Sequence, residues 1–230
     1  MPRTSEFAGF VRSILVLVTA AMAAGAVFAE PADAGGIALV GPAEKIGKTI
    51  RVETKRGAAP GGAWQVAPIS LLESFTMKFG FWLAAGTHPQ ADGIALVIQT
   101  DGLDAIGDGG GGIGYAGLHG VASVIQTYVN NHVGLNLDSN PYDTKNSPVD
   151  LGDADLIHGG ELITYDAVNH VLSMRGKLIV DGQEVVVHDR KDVDLAALLG
   201  SDTAYIGVTG GTGANTADER VAHFRFQQGL

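Results

Sequence analysis

From residue 37 onward, apolar side chains recur in short runs separated by clusters of glycine, proline and aspartate. That pattern belongs to strands joined by tight turns rather than to helices. The stretch 74–82 alternates cleanly, with Phe75, Met77, Phe79 and Phe81 on one face and Thr76, Lys78, Gly80 and Trp82 on the other. Such a strand covers a core on one side and meets solvent on the other. Comparable runs predict strands at 46–54, 63–68, 74–84, 93–100, 121–129 and 132–137. A second series is predicted at 160–165, 171–175, 177–180, 184–187, 204–208 and 222–227. Asp181-Gly182 falls between two apolar runs and signals a hairpin, because a type I′ turn needs positive φ at both central residues. One helical turn is predicted at 195–199, behind the acidic start at 192–194. About a dozen strands with no βαβ rhythm predict an all-β fold, an antiparallel β-sandwich of two sheets packed face to face.

The first 29 residues break this pattern. Arg3 and Arg12 precede an apolar run at 14–28, and Val27-Phe28-Ala29 offers a small-x-small cleavage site, so 1–29 is expected to be a signal peptide cut after Ala29. The run is about 15 residues, short of the roughly 20 that cross a bilayer, and no later run is long enough. Residues 30–36 read as a leader and 37–230 as one domain. An exported protein is expected, periplasmic or extracellular, with no membrane span in its mature chain.

Composition narrows the partners. Against 25 Asp and Glu stand 15 Lys and Arg, a net charge of −10, which argues against nucleic acid as a ligand. There is no cysteine, so neither disulfides nor thiolate metal sites are available and the domain depends on its core alone. Around 200 residues suffice to build one.

The loudest local motif is the glycine run Gly109 to Gly112, continued by Gly114 and Gly117, which contains a G-x-G-x-x-G match. An Asp/Gly loop precedes it and Gly120 interrupts any following helix, so the dinucleotide reading fails; it reads instead as a turn or as backbone that must approach a ligand closely. There is no G-x-S-x-G, H-E-x-x-H or P-loop, and the strand at 121–129 lacks the paired carboxylates of a glycosidase. An enzyme is not expected. The seven histidines are scattered, and the acidic groups Asp101, Asp104, Asp108 and Asp150, Asp153, Asp155 match no EF-hand. Both groups, and the stretch 188–192, read as solvated loops.

Several segments together resemble the legume-type (L-type) lectin family, in its bacterial exported version. Ala63-Trp64-Gln65-Val66 followed by the 74–81 run is similar to the family's opening strands. Ala91-Asp92-Gly93-Ile94-Ala95-Leu96-Val97-Ile98 resembles A-D-G-[FI]-A-F-x-[IL], and Gly111 with its neighbours resembles the glycine loop. The stretch 121–130 sits where the family has V-A-V-E-F-D-T-[FY]-x-N, and His132-Val133-Gly134-Leu135-Asn136 where it has H-I-G-I-[DN]. Late strands at 164–167 and 204–209, then Thr212-Gly213-Ala214-Asn215 in the place of the specificity loop, complete the order.

The resemblance implies a jelly-roll, concanavalin-like sandwich whose loops at one end form a shallow glycan site. Carried over, that site comprises Asp92, Gly111, Asn130, Ala214 and Asn215, with Tyr128 as an aromatic to stack on a sugar. It also implies calcium and a transition metal that hold the asparagine and brace a cis peptide before the aspartate. Of the metal positions Tyr128, Asn130 and His132 remain, whereas Val124 and Gln126 replace the acidic ligands and the loop carrying a later aspartate is shortened. Neutral oxygens and one imidazole lack the charge that hard cations need, so strong metal binding is not expected. Glycans are the expected partners, with an oligomer favoured by the gain from multivalency. A lectin-fold structural or protein-interaction module that has lost sugar binding is the alternative.

Overall fold

The computed structural model describes residues 36–53, 59–128, 131–142 and 147–229. The expected signal peptide at 1–29 lies outside these residues, as does all but the last residue of the 30–36 leader.

Fourteen described strands form two antiparallel sheets of seven. The front sheet runs β1 (Ile37–Val40), β4 (Gly61–Gln65), β13 (Thr203–Gly211), β7 (Gly93–Gln99), β8 (Gly120–Gln126) and β9 (His132–Asn136), with β5 (Ile69–Ser70) also on β13. The back sheet runs β12 (Gln183–Asp192), β11 (Val171–Val180), β10 (Leu156–Asp166), β6 (Phe75–Ala85), β14 (Ala217–Gln228), β3 (Thr49–Glu53) and β2 (Glu44–Ile46). The all-β sandwich expected from the sequence is the fold observed.

The alternation in β6 sets the core. Phe75, Met77, Phe79, Phe81 and Leu83 are buried, and they pack in one cluster with Ile94, Leu96 and Ile98 of β7. Truncating one such side chain to alanine costs about 2–5 kcal/mol. Strands β7 and β8 do not alternate, because they are buried at every position. The reason is a second apolar layer on the outer face of the front sheet, where Trp64, Val97, Ala122 and Val124 pack under Ile113, Tyr115 and Leu118. Trp64 Nε1 donates to Ala105 O at 2.9 Å and Tyr115 OH to Asn136 Oδ1 at 2.6 Å, pinning the glycine-rich segment over the sheet.

Local signals behave as read. Asp181 and Gly182 have φ of 46° and 88° between the paired Val180 and Gln183, as a type I′ turn requires. The α-helix among the described residues, α1 (Leu195–Leu199), starts where Asp194 accepts from Ala197 N at 3.0 Å.

Two expectations are corrected. The predicted strands 171–175 and 177–180 are one strand, since Gly176 stays in register with Glu161 on one side and Val187 on the other. The stretch 188–192 is not a solvated loop but the second half of β12. Its charges alternate: His188 and Arg190 point outward while Asp189, 6% exposed, turns in and accepts the Leu135 N–H of β9 at 3.0 Å. That contact joins the borders of the two sheets along one side.

A carboxylate of the back sheet faces the front sheet across the core. Glu161 of β10 is 2% exposed and accepts from Ser123 Oγ of β8 at 2.6 Å, and burial pushes its carboxyl up to about 7. Because the folded state holds this proton more tightly than the unfolded chain, the stabilisation is complete below pH 4.5 and is lost as pH rises through 7. The loss amounts to roughly 3 kcal/mol. Thermal melts of Glu161→Gln between pH 4 and 8 are expected to lack this decline; parallel curves for the two proteins would assign it to another group.

Candidate functional site

At one end of the sandwich three backbone segments converge: the turn 86–92 entering β7, the glycine-rich loop 107–117, and the loop 212–216 between β13 and β14. Asp92 stands at their junction, 4% exposed. Its N–H donates to Gly211 O and its carbonyl accepts from Thr127 N, each at 2.9 Å. The Ala91–Asp92 peptide is cis. A Cβ placed on Gly110 would stand 3.8 Å from Asp92 Oδ2, and one on Gly213 3.5 Å, so the carboxylate lies between the other two loops. Among the described residues no donor reaches it, and burial pushes its carboxyl up to about 6.

The turn before Asp92 is fastened from below. Gln90, fully buried, donates from Nε2 to Ala154 O at 2.8 Å and to Leu151 O at 3.1 Å, while its N–H reaches Gly152 O at 2.7 Å. Beyond Asp92, Gly93 has φ of 130°, and a Cβ there would lie 2.1 Å from Ile125 O, so only glycine fits. Its N–H goes to Glu219 Oε1 at 3.0 Å, and the same carboxylate accepts from Gly211 N. Glu219 is fully buried and sits across the ladder from Glu53, itself 2% exposed. Burial, then the charges of Glu53 and Asp92, hold the Glu219 carboxyl well above the usual carboxylate range. One buried acid therefore ties together the two glycines that flank the Asp92 turn.

The glycine loop is tied from the other side. Gln126 of β8 is buried and donates from Nε2 to Gly111 O at 2.8 Å. The 3-10 turn at Gly110–Gly112 is followed by Ile113 with φ of 49°, with Gly107 N donating to Gly114 O at 2.8 Å, so no helix opens and the dinucleotide reading stays rejected. Gly111 lies against the hydroxyl of Tyr142, an aromatic 41% exposed. In the third loop Ala214 is exposed, and Asn215 spends its Nδ2 on Pro89 O at 2.9 Å.

Of the residues expected from the sequence, Asp92, Gly111, Ala214 and Asn215 belong to these converging loops. Asn130 lies outside the described residues. Tyr128 is half-buried just past β8, and His132 is 7% exposed on β9, in register with Gln126. Sequence reasoning missed Glu219, Glu53 and Tyr142. The inward run Ala217, Glu219, Val221 in β14 was the available signal for the first, since an acid in phase with buried residues faces inward. The acidic loops are locally satisfied, with Asp101 accepting from His119 N and Asp150 from Asn131 and Gly152.

The donor set does not fit the calcium and transition metal that the family resemblance implies. Val124 is fully buried in the outer apolar layer, and Gln126, whose Nε2 donates to Gly111 O, brings a neutral amide oxygen and no charge. Where hard cations need carboxylates, these two positions offer an alkyl group and an amide. Among the described residues no three of His, Asp and Glu come together in a metal-sized group.

No family model matches the chain. Solved structures do. Lectin UEA-II complexed with galactose superposes with a TM-score of 0.70 at 21% identity, over 84% of this chain and 93% of that one. The metal-free form of lectin I-B4 from Griffonia simplicifolia gives 0.69 at 20% over 89% and 97%, and arcelin-5, a lectin-like defense protein from Phaseolus vulgaris, 0.69 at 18% over 85% and 93%. The fold is thus the legume-lectin-like β-sandwich.

Replacing Glu219 by leucine leaves the N–H groups of Gly93 and Gly211 buried without an acceptor, at a cost of about 1–3 kcal/mol each. Glu219→Leu is expected to speed amide hydrogen exchange at Gly93 and Gly211 and to lower the melting temperature, with Glu219→Gln closer to the parent. Unchanged exchange in the leucine variant would show that other contacts hold the turn.

Proposed function

We propose that this is an exported, non-enzymatic carbohydrate-binding protein that recognises glycans through the loops around Asp92, without a metal ion. Asp92 carries the reading: a nearly buried carboxylate, lacking an internal donor among the described residues, at the meeting of two loops rich in backbone N–H groups. Buried acceptors are ordinarily satisfied within the protein, and one left at a loop junction suits the paired hydroxyls of a sugar. Backbone amides of Gly111, Ala214 and Asn215 would add donors, Asn130 an amide side chain, and Tyr142 or Tyr128 an apolar ring for stacking. The likeness to a galactose-bound lectin supports the ligand class. Gln126 and Glu219 supply the hold on these loops that bound cations would otherwise give. Export follows from the 1–29 segment, and the low affinity of shallow sugar sites favours an oligomer.

A second reading, a lectin-fold interaction module without sugar binding, is favoured by Val124 and Gln126 in place of acidic ligands. It gives no glycan signal at any calcium concentration.

A glycan array run with calcium and again with chelator separates the two. Binding is expected in both buffers, reduced by Asp92→Ala and by Asn130→Ala, and weakening as pH falls through about 6, where Asp92 gains a proton and ceases to be a charged acceptor. Loss of binding in chelator would overturn the metal-free site; silence in both buffers would establish the second reading.

A further inference from the structure

Every Lys and Arg among the described residues lies on a strand of the back sheet or, for Lys48, in the turn joining β2 and β3. The front sheet and its loops carry Asp92, Asp101, Asp104, Asp108 and Asp138 instead. The back-sheet strands also carry Glu44, Asp166, Glu184, Asp192 and Asp218 at exposed or half-buried positions, so within a chain of net charge −10 the cations gather on this face among a smaller number of acids.

On that face the register makes a line. His188, Arg175, Leu162, Lys78 and Arg225 stand directly opposite one another across β12, β11, β10, β6 and β14. No carboxylate interrupts these positions. Lys78 and Arg225 are immediate cross-strand neighbours, an arrangement that opposes folding; burial and then the Arg225 charge hold the Lys78 ammonium below its ordinary range. Two residues further along each strand the surface drops, because Gly160, Gly80 and Ala222 pair there. A further two residues on, His158, Trp82 and Arg220 form the opposite wall, with the Arg220 guanidinium 5.9 Å from the centre of the Trp82 ring. Asp218 pairs with Arg220 at 2.6 Å and with Arg51 at 3.1 Å at the end of that wall. His223, at the bulge in β14, leans over Gly80, and burial, Arg225 and Lys48 disfavour its protonation. A pocket lined by Gly80, Trp82, Gly159, Arg220, Ala222 and His223 lies within this trough. From strand spacings the trough is about 13 Å between walls, and its small-residue floor is about 10 Å long, ending at β11 where Lys177 stands in register with Gly160 and pairs with Glu184 at 2.6 Å.

We infer that this trough is a second carbohydrate site, which binds one chain of an acidic polysaccharide of the uronate type. Cations on one wall pair with the repeating carboxylates, and the indole on the other meets the apolar face of a pyranose ring. A second copy docked back to back would press identical cation rows together, because a two-fold contact is self-complementary. Duplex nucleic acid is too wide for the trough, while a lipid surface would need apolar anchors rather than a glycine floor. The inference does not depend on the site at Asp92.

Affinity electrophoresis of the full chain through polygalacturonate at low and high salt tests it, with dextran as the neutral control. Retardation by polygalacturonate alone is expected, relieved by salt, reduced about tenfold in Lys78→Gln/Arg225→Gln and unchanged in Asp92→Ala. Thermal melts confirm that the double variant is folded, and Trp82→Leu is expected to weaken binding severalfold with every charge kept. Absence of retardation, or equal retardation of parent and double variant, would overturn the inference. So would tighter capture by single-stranded DNA or anionic vesicles through the same residues, or a salt-sensitive oligomer that the double variant dissolves.

Discussion

The two sheets of this sandwich are held together without a single disulfide, so the dry layer between them carries the fold. That requirement disciplines every strand, since inward positions must be apolar or must justify a polar group with a specific partner. Three acids meet the second condition in different ways. Glu161 takes a hydroxyl from the opposite sheet, Asp189 takes an amide from the neighbouring border, and Glu219 takes two amides at the end of a ladder. Outward positions face no such demand, and there the described lysines and arginines gather on the back sheet, several of them paired with acids of the same sheet.

How much of this was legible in the sequence follows from the same discipline. β6 could be read residue by residue because its outer face meets solvent, giving the period-2 pattern its contrast. β7 and β8 were found as apolar runs, but nothing local revealed the second layer above them, which depends on a segment folding back from 103–118. The tail of β12 was misread because alternating charges look like a loop until one of them, Asp189, is seen to face the interior. At the candidate site the family resemblance located the loops, and it could not supply their fastenings. Gln126 was noticed only as a missing ligand, whereas its amide holds Gly111; Glu219 drew no notice in a polar stretch, although it carries the turn beneath Asp92.

Those fastenings explain how the loop geometry of a lectin is kept with a different donor set. Val124 belongs to the outer apolar layer, where a carboxylate would be stranded. Backbone and side-chain hydrogen bonds order this end of the sandwich, among them the 2.9 Å contacts of Asp92 with Gly211 and Thr127.

The joined border between β9 and β12 also governs how molecules of this protein can meet. An exposed sheet edge is a template on which another chain can add a strand and begin a fibril. On that side β9 is buried throughout, and β12, the end strand of its sheet, presents Glu184, Val186, His188, Arg190 and Asp192 outward, so an incoming strand meets charge at most of its outward positions. On the other side the borders are β1 and β2, of four and three residues, and of these only β1 exposes apolar side chains, Ile37 and Leu39. Against an added strand these borders set the Asp189 contact and the outward charges of β12 on one side and the brevity of β1 and β2 on the other.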